Sequence, residues 1–299
     1  MNMSNKKQLL GIILLVFLLW LMPFWSRTGI SQTYNETYLL NTTVNVTNSA
    51  PMVYDVLIPA EINLIAYNAL ELQCNVSTYD YNNDTLQVNA TFFRSNESTI
   101  GAIDKNYRYL NSSCLPATVQ DYYMNWTCTF NVSYFANNGT WFCNSTAVDT
   151  RGGFASNQSS MGTVNSLIAI KLDPVLDFGQ LEVGQTSNDT LANITNAGNR
   201  AANISVKGWG SVEGDGFAFD CEFGSINIEN EKYSITNGTT YSSMTALTVN
   251  SVNLTNYFVP QRVDEEIDSV NSTYWKIYIP NGAGGLCTGK ILFTASDKG

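Results

Sequence analysis

Residues 70–76 read LELQCNV, a stretch in which the apolar side chains of Leu70, Leu72, Cys74 and Val76 are separated by polar ones. Successive side chains of a β-strand point to opposite faces, so this alternation predicts a strand with one buried and one solvated face. No window of the chain sustains a helical period. Comparable short segments, divided by turns rich in Asn, Gly and Asp, are residues 86–92, 126–132, 139–148, 166–172, 189–196, 203–209, 244–250, 274–279 and 290–294.

Short strands at regular spacing between turn clusters predict an all-β chain of sandwich architecture. We place a boundary near residues 163–170 and expect two tandem β-sandwich domains, at residues 51–165 and 166–299. Residues 32–50 are rich in Asn and Thr, and we expect them to form a stalk or a leading strand.

Residues 1–31 predict a targeting segment, in which Lys6 and Lys7 precede an apolar run from Leu9 to Trp25. A membrane-spanning helix needs about 20 consecutive apolar residues, and this run is shorter. We therefore expect a cleaved signal peptide, with an uncleaved N-terminal signal anchor as the alternative. Either form exports the rest of the chain, and the anchor would be its only contact with a membrane.

The composition narrows the classes of function. Only 13% of the residues are charged and the formal net charge is −10, which argues against nucleic acid and anionic lipid as partners. The chain contains no His, the residue that most often acts as general base and metal ligand. We therefore expect no enzyme activity, and the low charge content calls for another source of surface solubility.

N-glycosylation sequons are the strongest local signal. The motif N-x-[ST] occurs 20 times, and 19 of these matches follow residue 31. Random placement of the 35 Asn and the 55 Ser and Thr residues would give about six. The predicted acceptors are Asn35, Asn41, Asn45, Asn75, Asn83, Asn89, Asn96, Asn111, Asn125, Asn131, Asn138, Asn144, Asn157, Asn188, Asn193, Asn203, Asn237, Asn253 and Asn271.

Several sequons have an apolar middle residue, as in Asn75-Val76-Ser77 and Asn193-Ile194-Thr195. Residues i and i+2 of a strand share a face, so the Asn and the Ser or Thr would point to solvent and the middle residue inward. The pattern predicts glycans on the outer faces of the strands, where they would replace charge as the solubilising group.

Six cysteines in an exported chain predict disulfides. Two of them lie in the second domain, where Cys221–Cys287 is the only local pair. The other four, in the first domain, allow three connectivities. A zinc site is not expected, because the chain has neither C-x-x-C spacing nor His. The four are Cys74, Cys114, Cys128 and Cys143.

The segment Gly139-Thr140-Trp141-Phe142-Cys143 resembles strand F of immunoglobulin domains, where an aromatic residue stands two positions before the second cysteine. The resemblance implies an inter-sheet disulfide between Cys143 and Cys74, the latter in a strand-B position. It leaves Cys114–Cys128 as the second pair. The first domain resembles Ig and cadherin-like modules in this respect.

The second domain resembles Hydin-type and CARDB-like Ig-like modules. The resemblance is carried by residues 176–184, LDFGQLEVG, and residues 193–199, NITNAGN. The stretch from Tyr274 to Ala295 also looks like the last hairpin of such modules in archaeal-type surface proteins. The resemblance implies two Ig-like sandwiches with a structural or adhesive role and no catalysis. It also implies hairpin turns at residues 196–199.

Residues 80–84 read DYNND and resemble a calcium-binding loop of sandwich modules, with Asp80, Asn82 and Asp84 as the candidate ligands. Oxygen donors two residues apart can converge on Ca²⁺. The alternative is an Asn- and Asp-rich hairpin turn that needs no metal. No other cofactor is expected.

Aromatic residues in the segment 104–125 suggest a surface for stacking carbohydrate, with packing of the sandwich as the alternative. The candidates are Tyr107, Tyr109, Tyr122 and Tyr123. The acidic run at residues 264–268 predicts a solvated loop.

Together these features predict a non-enzymatic, extracellular structural or adhesive component of a cell envelope or filament. Its partners would be proteins or glycans at the cell surface. Two alternatives remain: a carbohydrate-binding module protein, and a filament subunit that donates residues 32–50 as a strand to a neighbouring copy.

Overall fold

A computed structural model describes residues 37–299, apart from the side chain of Val119. This part of the chain is all β, with strands and short 3-10 turns and no α-helix. Residues 47–299 form one compact unit. The predicted targeting segment at residues 1–31, and Asn35 with the start of the predicted stalk, lie outside the described residues.

Two sheets built from residues 52–164 face each other. One has the order β1-β3-β7-β6; the other has the order β2-β10-β8-β4-β5, with β9 on the edge of β8. The strands are β1 Met52–Leu57, β2 Glu61–Ile62, β3 Ala69–Tyr79, β4 Thr85–Arg94, β5 Arg108–Asn111, β6 Leu115–Gln120, β7 Tyr123–Ser133, β8 Gly139–Asp149, β9 Phe154–Gln158 and β10 Gly162–Val164.

The sheets of this first half enclose a core because β3 and β8 bury every second residue. Phe92 and Trp141 are fully buried and stack with ring centroids 4.7 Å apart. A disulfide joins Cys74 of β3 to Cys143 of β8 and so bridges the two sheets. A second disulfide, Cys114–Cys128, ties the loop after β5 to β7.

Three sheets make up the second half, with orders β11-β12-β19-β16-β17, β18-β13-β21 and β15-β14-β20. Cys221 of β14 is bonded to Cys287 of β20. The strands are β11 Ile170–Leu172, β12 Thr190–Asn196, β13 Ala202–Trp209, β14 Phe217–Phe223, β15 Ser225–Asn227, β16 Glu231–Ser234, β17 Thr245–Ala246, β18 Val252–Val259, β19 Val270–Ile277, β20 Gly284–Thr288 and β21 Lys290–Asp297.

Two predicted hairpins of the second half are wrong. The connection after Asn196 joins β12 to β13, which belong to different sheets, and β19 and β21 also lie in different sheets. The first connection is buried instead of exposed, and Asn196 accepts a hydrogen bond from Gly198 N at 2.8 Å. A Cβ at Gly198 would lie 2.1 Å from Leu167 O, so close packing requires glycine here.

The buried connection fastens the two halves together. Asn199 is fully buried and donates from Nδ2 to Ala136 O at 3.0 Å, and Tyr67 N donates to Ala197 O at 3.1 Å. Gln261 Nε2 donates to Phe135 O at 2.8 Å. We call this contact zone the junction. Since residues 47–299 are one compact unit, the division into two domains stays a prediction.

Candidate interaction surfaces

Sequons that have an apolar middle residue and lie on a strand are oriented as the strand alternation predicts. Val76, Ala90, Val132, Ile194, Ile204 and Leu254 are all buried, whereas the asparagine one position before each of them is half-buried or exposed. The middle residues therefore belong to the cores, and the acceptor amides lie on the outer faces of the strands.

The predicted glycan acceptors are accessible in the described residues. From Asn41 onward, none of the predicted acceptors is buried in the described part of the chain. Three asparagines of residues 37–299 are buried, namely Asn106, Asn196 and Asn199, and none of them is in a sequon. Most asparagines outside sequons, such as Asn63 and Asn165, are accessible as well, so the observation shows only that the predicted acceptors can be reached.

Sequons are missing from one face of the second half. Residues 158–187, 204–236 and 272–299 contain no sequon, and they are three of the four longest such stretches after residue 31. Although distant in sequence, they fold against each other around two openings of 440 Å³ and 950 Å³, both lined by Leu176 and Phe178. We call these two continuous openings the bare groove. Asn193, at the rim of the smaller opening, is the sequon residue that lines it.

The bare groove is apolar and runs beside an unpaired strand edge. In the described residues β21 pairs with β13 alone, so its other edge carries free backbone groups. Ile291, Phe293 and Ala295 of β21 face the core but are only partly covered. Val175 and Leu286 on the surrounding surface are 73% and 71% exposed.

A buried carboxyl group lies in the smaller opening. Glu231 of β16 is 2% exposed, and its Oε1 has no hydrogen-bond partner within residues 37–299. Burial raises the pKa of Glu231 to about 8, because the charged form loses its hydration. Sequence reasoning missed this residue, since a single Glu in a short strand resembles any solvated position.

The aromatic residues proposed for carbohydrate stacking are only partly brought together. Tyr109 is buried in the core, where burial raises its pKa to about 12. Tyr122 and Tyr123 are exposed and contact Tyr79, as does Tyr81. The ring centroid of Tyr79 lies 4.6 Å from that of Tyr123 and 4.8 Å from that of Tyr81. The cluster of four tyrosines at residues 79, 81, 122 and 123 is the aromatic surface that the fold presents.

The predicted calcium loop is a self-bonded turn. The Asp80 carboxylate accepts hydrogen bonds from Asn82 N at 2.9 Å, Asp84 N at 3.2 Å and Thr85 Oγ1 at 2.9 Å. Asn82 Oδ1 accepts one from Ser49 N at 2.7 Å. The bonds to Asp80 are those of an Asx turn. Asp84 accepts a hydrogen bond on Oδ2 from Thr150 Oγ1 at 2.8 Å, and its Oδ1 has no partner within residues 37–299. Residues 37–299 contain no cluster of three His, Cys, Asp or Glu side chains suited to a metal ion.

The acidic run at residues 264–268 borders the junction. Asp268 accepts hydrogen bonds from the backbone of Asp264 and Glu265, and Glu266 accepts one from Tyr67 at 2.5 Å. The run is exposed, as the sequence predicts, and closes a short 3-10 turn, Glu266–Ser269.

No helix within residues 37–299 is long and apolar enough to cross a membrane. No family model and no curated protein matches this sequence.

The solved structures that match this chain do so with low identity and low TM-scores. The CsuC–CsuE chaperone–tip adhesion subunit complex of Acinetobacter baumannii is 9% identical, covers 80% of this chain and 99% of that chain, and has a TM-score of 0.40. A chaperone–tip adhesin complex of CFA/I fimbriae is 9% identical over 83% of this chain and 84% of that chain, with a TM-score of 0.32. The BspA_C structure is 9% identical over 82% of this chain and 96% of that chain, with a TM-score of 0.25. The function proposed below rests on the chain's own residues.

Proposed function

We propose that this chain is a non-enzymatic, densely N-glycosylated structural or adhesive protein of the cell exterior. The observation that carries the proposal is the excess of sequons: the chain has 20, whereas its Asn, Ser and Thr content predicts about six. The acceptors within the described residues are also accessible, as glycosylation requires. Glycans on the outer strand faces supply solubility that a charged fraction of 13% does not.

Cysteine use supports the same location. All six cysteines are paired, in the disulfides Cys74–Cys143, Cys114–Cys128 and Cys221–Cys287. Disulfides persist in oxidising compartments, so the pairing favours an exported protein. The absence of His from the sequence argues against the commonest forms of acid–base catalysis.

Peptide mapping of protein secreted by its natural host tests the proposal. We expect glycan on most sequons between Asn41 and Asn271, no free thiol, and an N-terminus that reports whether residues 1–31 are removed. Enzymatic deglycosylation serves as the control, since it converts each occupied Asn to Asp and marks the site by mass. Bare sequons throughout, or free thiols, contradict the proposal.

A second candidate, carbohydrate binding, is favoured by the tyrosine cluster around Tyr79. Tyrosine rings stack on sugar rings through apolar faces, and three of the four rings are exposed. Binding on a glycan array that is lost in Tyr81→Ala and kept in Tyr54→Ala, an exposed tyrosine outside the cluster, supports this function. An array without binding rejects it.

A further inference from the structure

We propose that residues 40–46 of one copy add as a strand to the free edge of β21 in a second copy and cover its bare groove. The chain then assembles head to tail into a polymer. This inference rests on the extracellular structural role proposed above and names its partner, which is another copy of the same chain.

The donor segment has the pattern of a strand without a sheet. Residues 37–50 form no strand, and Leu40, Val44 and Val46 are 84%, 86% and 67% exposed. In an extended chain they share one face with Thr42, while Asn41 and Asn45, both sequon acceptors, share the other. Docking by the first face buries the apolar residues and keeps both glycans in solvent.

The acceptor edge has the matching pattern. Ile291, Phe293 and Ala295 alternate along β21 and are partly buried against the core, so space remains over them. The unpaired backbone groups of this edge can bond an added strand, as in β-strand addition generally. No sequon lies on β21 or β20, and the one sequon asparagine that lines the groove, Asn193, belongs to β12 and not to the acceptor edge.

A polar match fixes the register. Thr42 is the only polar residue among the inward positions Leu40, Thr42, Val44 and Val46. Among the groove-lining side chains, Glu231 has the buried oxygen without a partner. A threonine hydroxyl at that point satisfies this oxygen, whose unpaired state is costly.

The stretch of chain between residue 48 and the donor is short. Asn48 and Ser49 are held at the end of the first half opposite the junction, by Asp149 at 2.7 Å and Asn82 at 2.7 Å. Strand β3 runs from that end to the junction, and its 11 residues span about 35 Å. From residue 48 back to residue 40 the extended chain covers at most about 28 Å.

The groove lies on the far side of the junction, because the last residue of β21, Asp297, pairs with Ala202 next to the junction. Donor and acceptor of one chain therefore engage different neighbours. A contact between two different surfaces is heterologous, and it produces an open polymer unless the rotation between copies closes a ring.

Two matched variants of the full glycoprotein test the donor. Val44→Asp places a carboxylate on the inward face, and Leu39→Asp places it on the outward face, outside every sequon. Both positions are exposed and precede the compact unit, so both variants should fold. We expect polymers in electron micrographs and size-exclusion profiles of the wild type and Leu39→Asp, and a monomer for Val44→Asp. Equal assembly of the two variants overturns the proposal, as does a monomeric wild type.

A synthetic peptide of residues 37–47 tests the acceptor in the Val44→Asp monomer. We expect binding that protects the β21 amides on the free edge, those not bonded to β13, from hydrogen exchange. Affinity should be at least about 100-fold weaker for the Val44→Asp peptide and about tenfold weaker for Thr42→Val, with recovery in Thr42→Ser. Free-edge amides that are already protected in the monomer indicate another occupant and overturn the proposal. A Thr42→Val peptide that binds as well as the parent overturns the register. Glycan occupancy and disulfides, mapped on the same material, are independent of these outcomes.

Discussion

Replacing Glu231 by Gln should make the protein more stable at neutral pH and remove most of the pH dependence of its stability between pH 5 and 7.5. The side chain is 2% exposed and its Oε1 has no partner in the described part of the chain, so the folded protein strongly favours the neutral acid. Gln has nearly the same shape and does not titrate.

The magnitude follows from the difference in pKa between the two states. The pKa is 4.5 for the ordinary group and about 8 in the folded protein, so both states are neutral below pH 4.5. As the pH rises, the unfolded chain ionises first, and stability falls by about 1.4 kcal/mol per pH unit until the folded pKa is reached. At pH 7 the accumulated loss is about 3 kcal/mol, and Glu231→Gln should avoid it.

Urea unfolding in the monomeric Val44→Asp background, at half-unit steps from pH 4.5 to 7.5, measures this difference. The free energy of unfolding of the protein with Glu231 should fall relative to that with Glu231→Gln as the pH rises. Glu71→Gln, at an exposed position of β3, controls for the loss of one carboxylate. Parallel curves for the proteins with Glu231 and with Glu231→Gln would refute the assignment of a buried, neutral acid.

Two further substitutions test the architecture of the second half. Changing both Cys221 and Cys287 to Ser should lower the free energy of unfolding by about 4 kcal/mol, because the bond closes a loop with a sequence separation of 66; an unchanged denaturation midpoint would contradict this. Gly198→Ala should lower the free energy of unfolding by about 2 kcal/mol or more, since its Cβ would lie 2.1 Å from Leu167 O. The control Gly284→Ala, whose Cβ would have its nearest neighbour at 3.9 Å, should change it by less than about 0.5 kcal/mol. Equal effects would count against the close packing of the junction.

The strands themselves could be predicted from the sequence, because alternation reports burial locally. LELQCNV lies within β3 and the segment around Cys143 within β8, and both bury every second residue. The predicted disulfide partners are also the pairs found in the structure. The resemblance of residues 139–143 to strand F implied Cys74–Cys143 and left Cys114–Cys128, whereas Cys221–Cys287 was the only pair that the second half offered.

The connections between strands could not be predicted in the same way. Residues 196–199 have the composition of an exposed hairpin turn, yet they are buried and link two sheets at the junction. Composition indicates which backbone angles a turn permits, but the burial of a turn depends on residues that are distant in sequence. Here Leu167 O packs against Gly198, and Ala136 O accepts a hydrogen bond from Asn199.

That this chain is a β protein with accessible sequons and buried apolar neighbours follows from local sequence, because both properties depend on the two-residue period of a strand. The alternation at residues 40–46 is likewise local. Where the surface lacks sequons depends on the tertiary structure. Three separated stretches form that face, and Glu231 and β21 meet there because sheet order, a long-range property, brings them together.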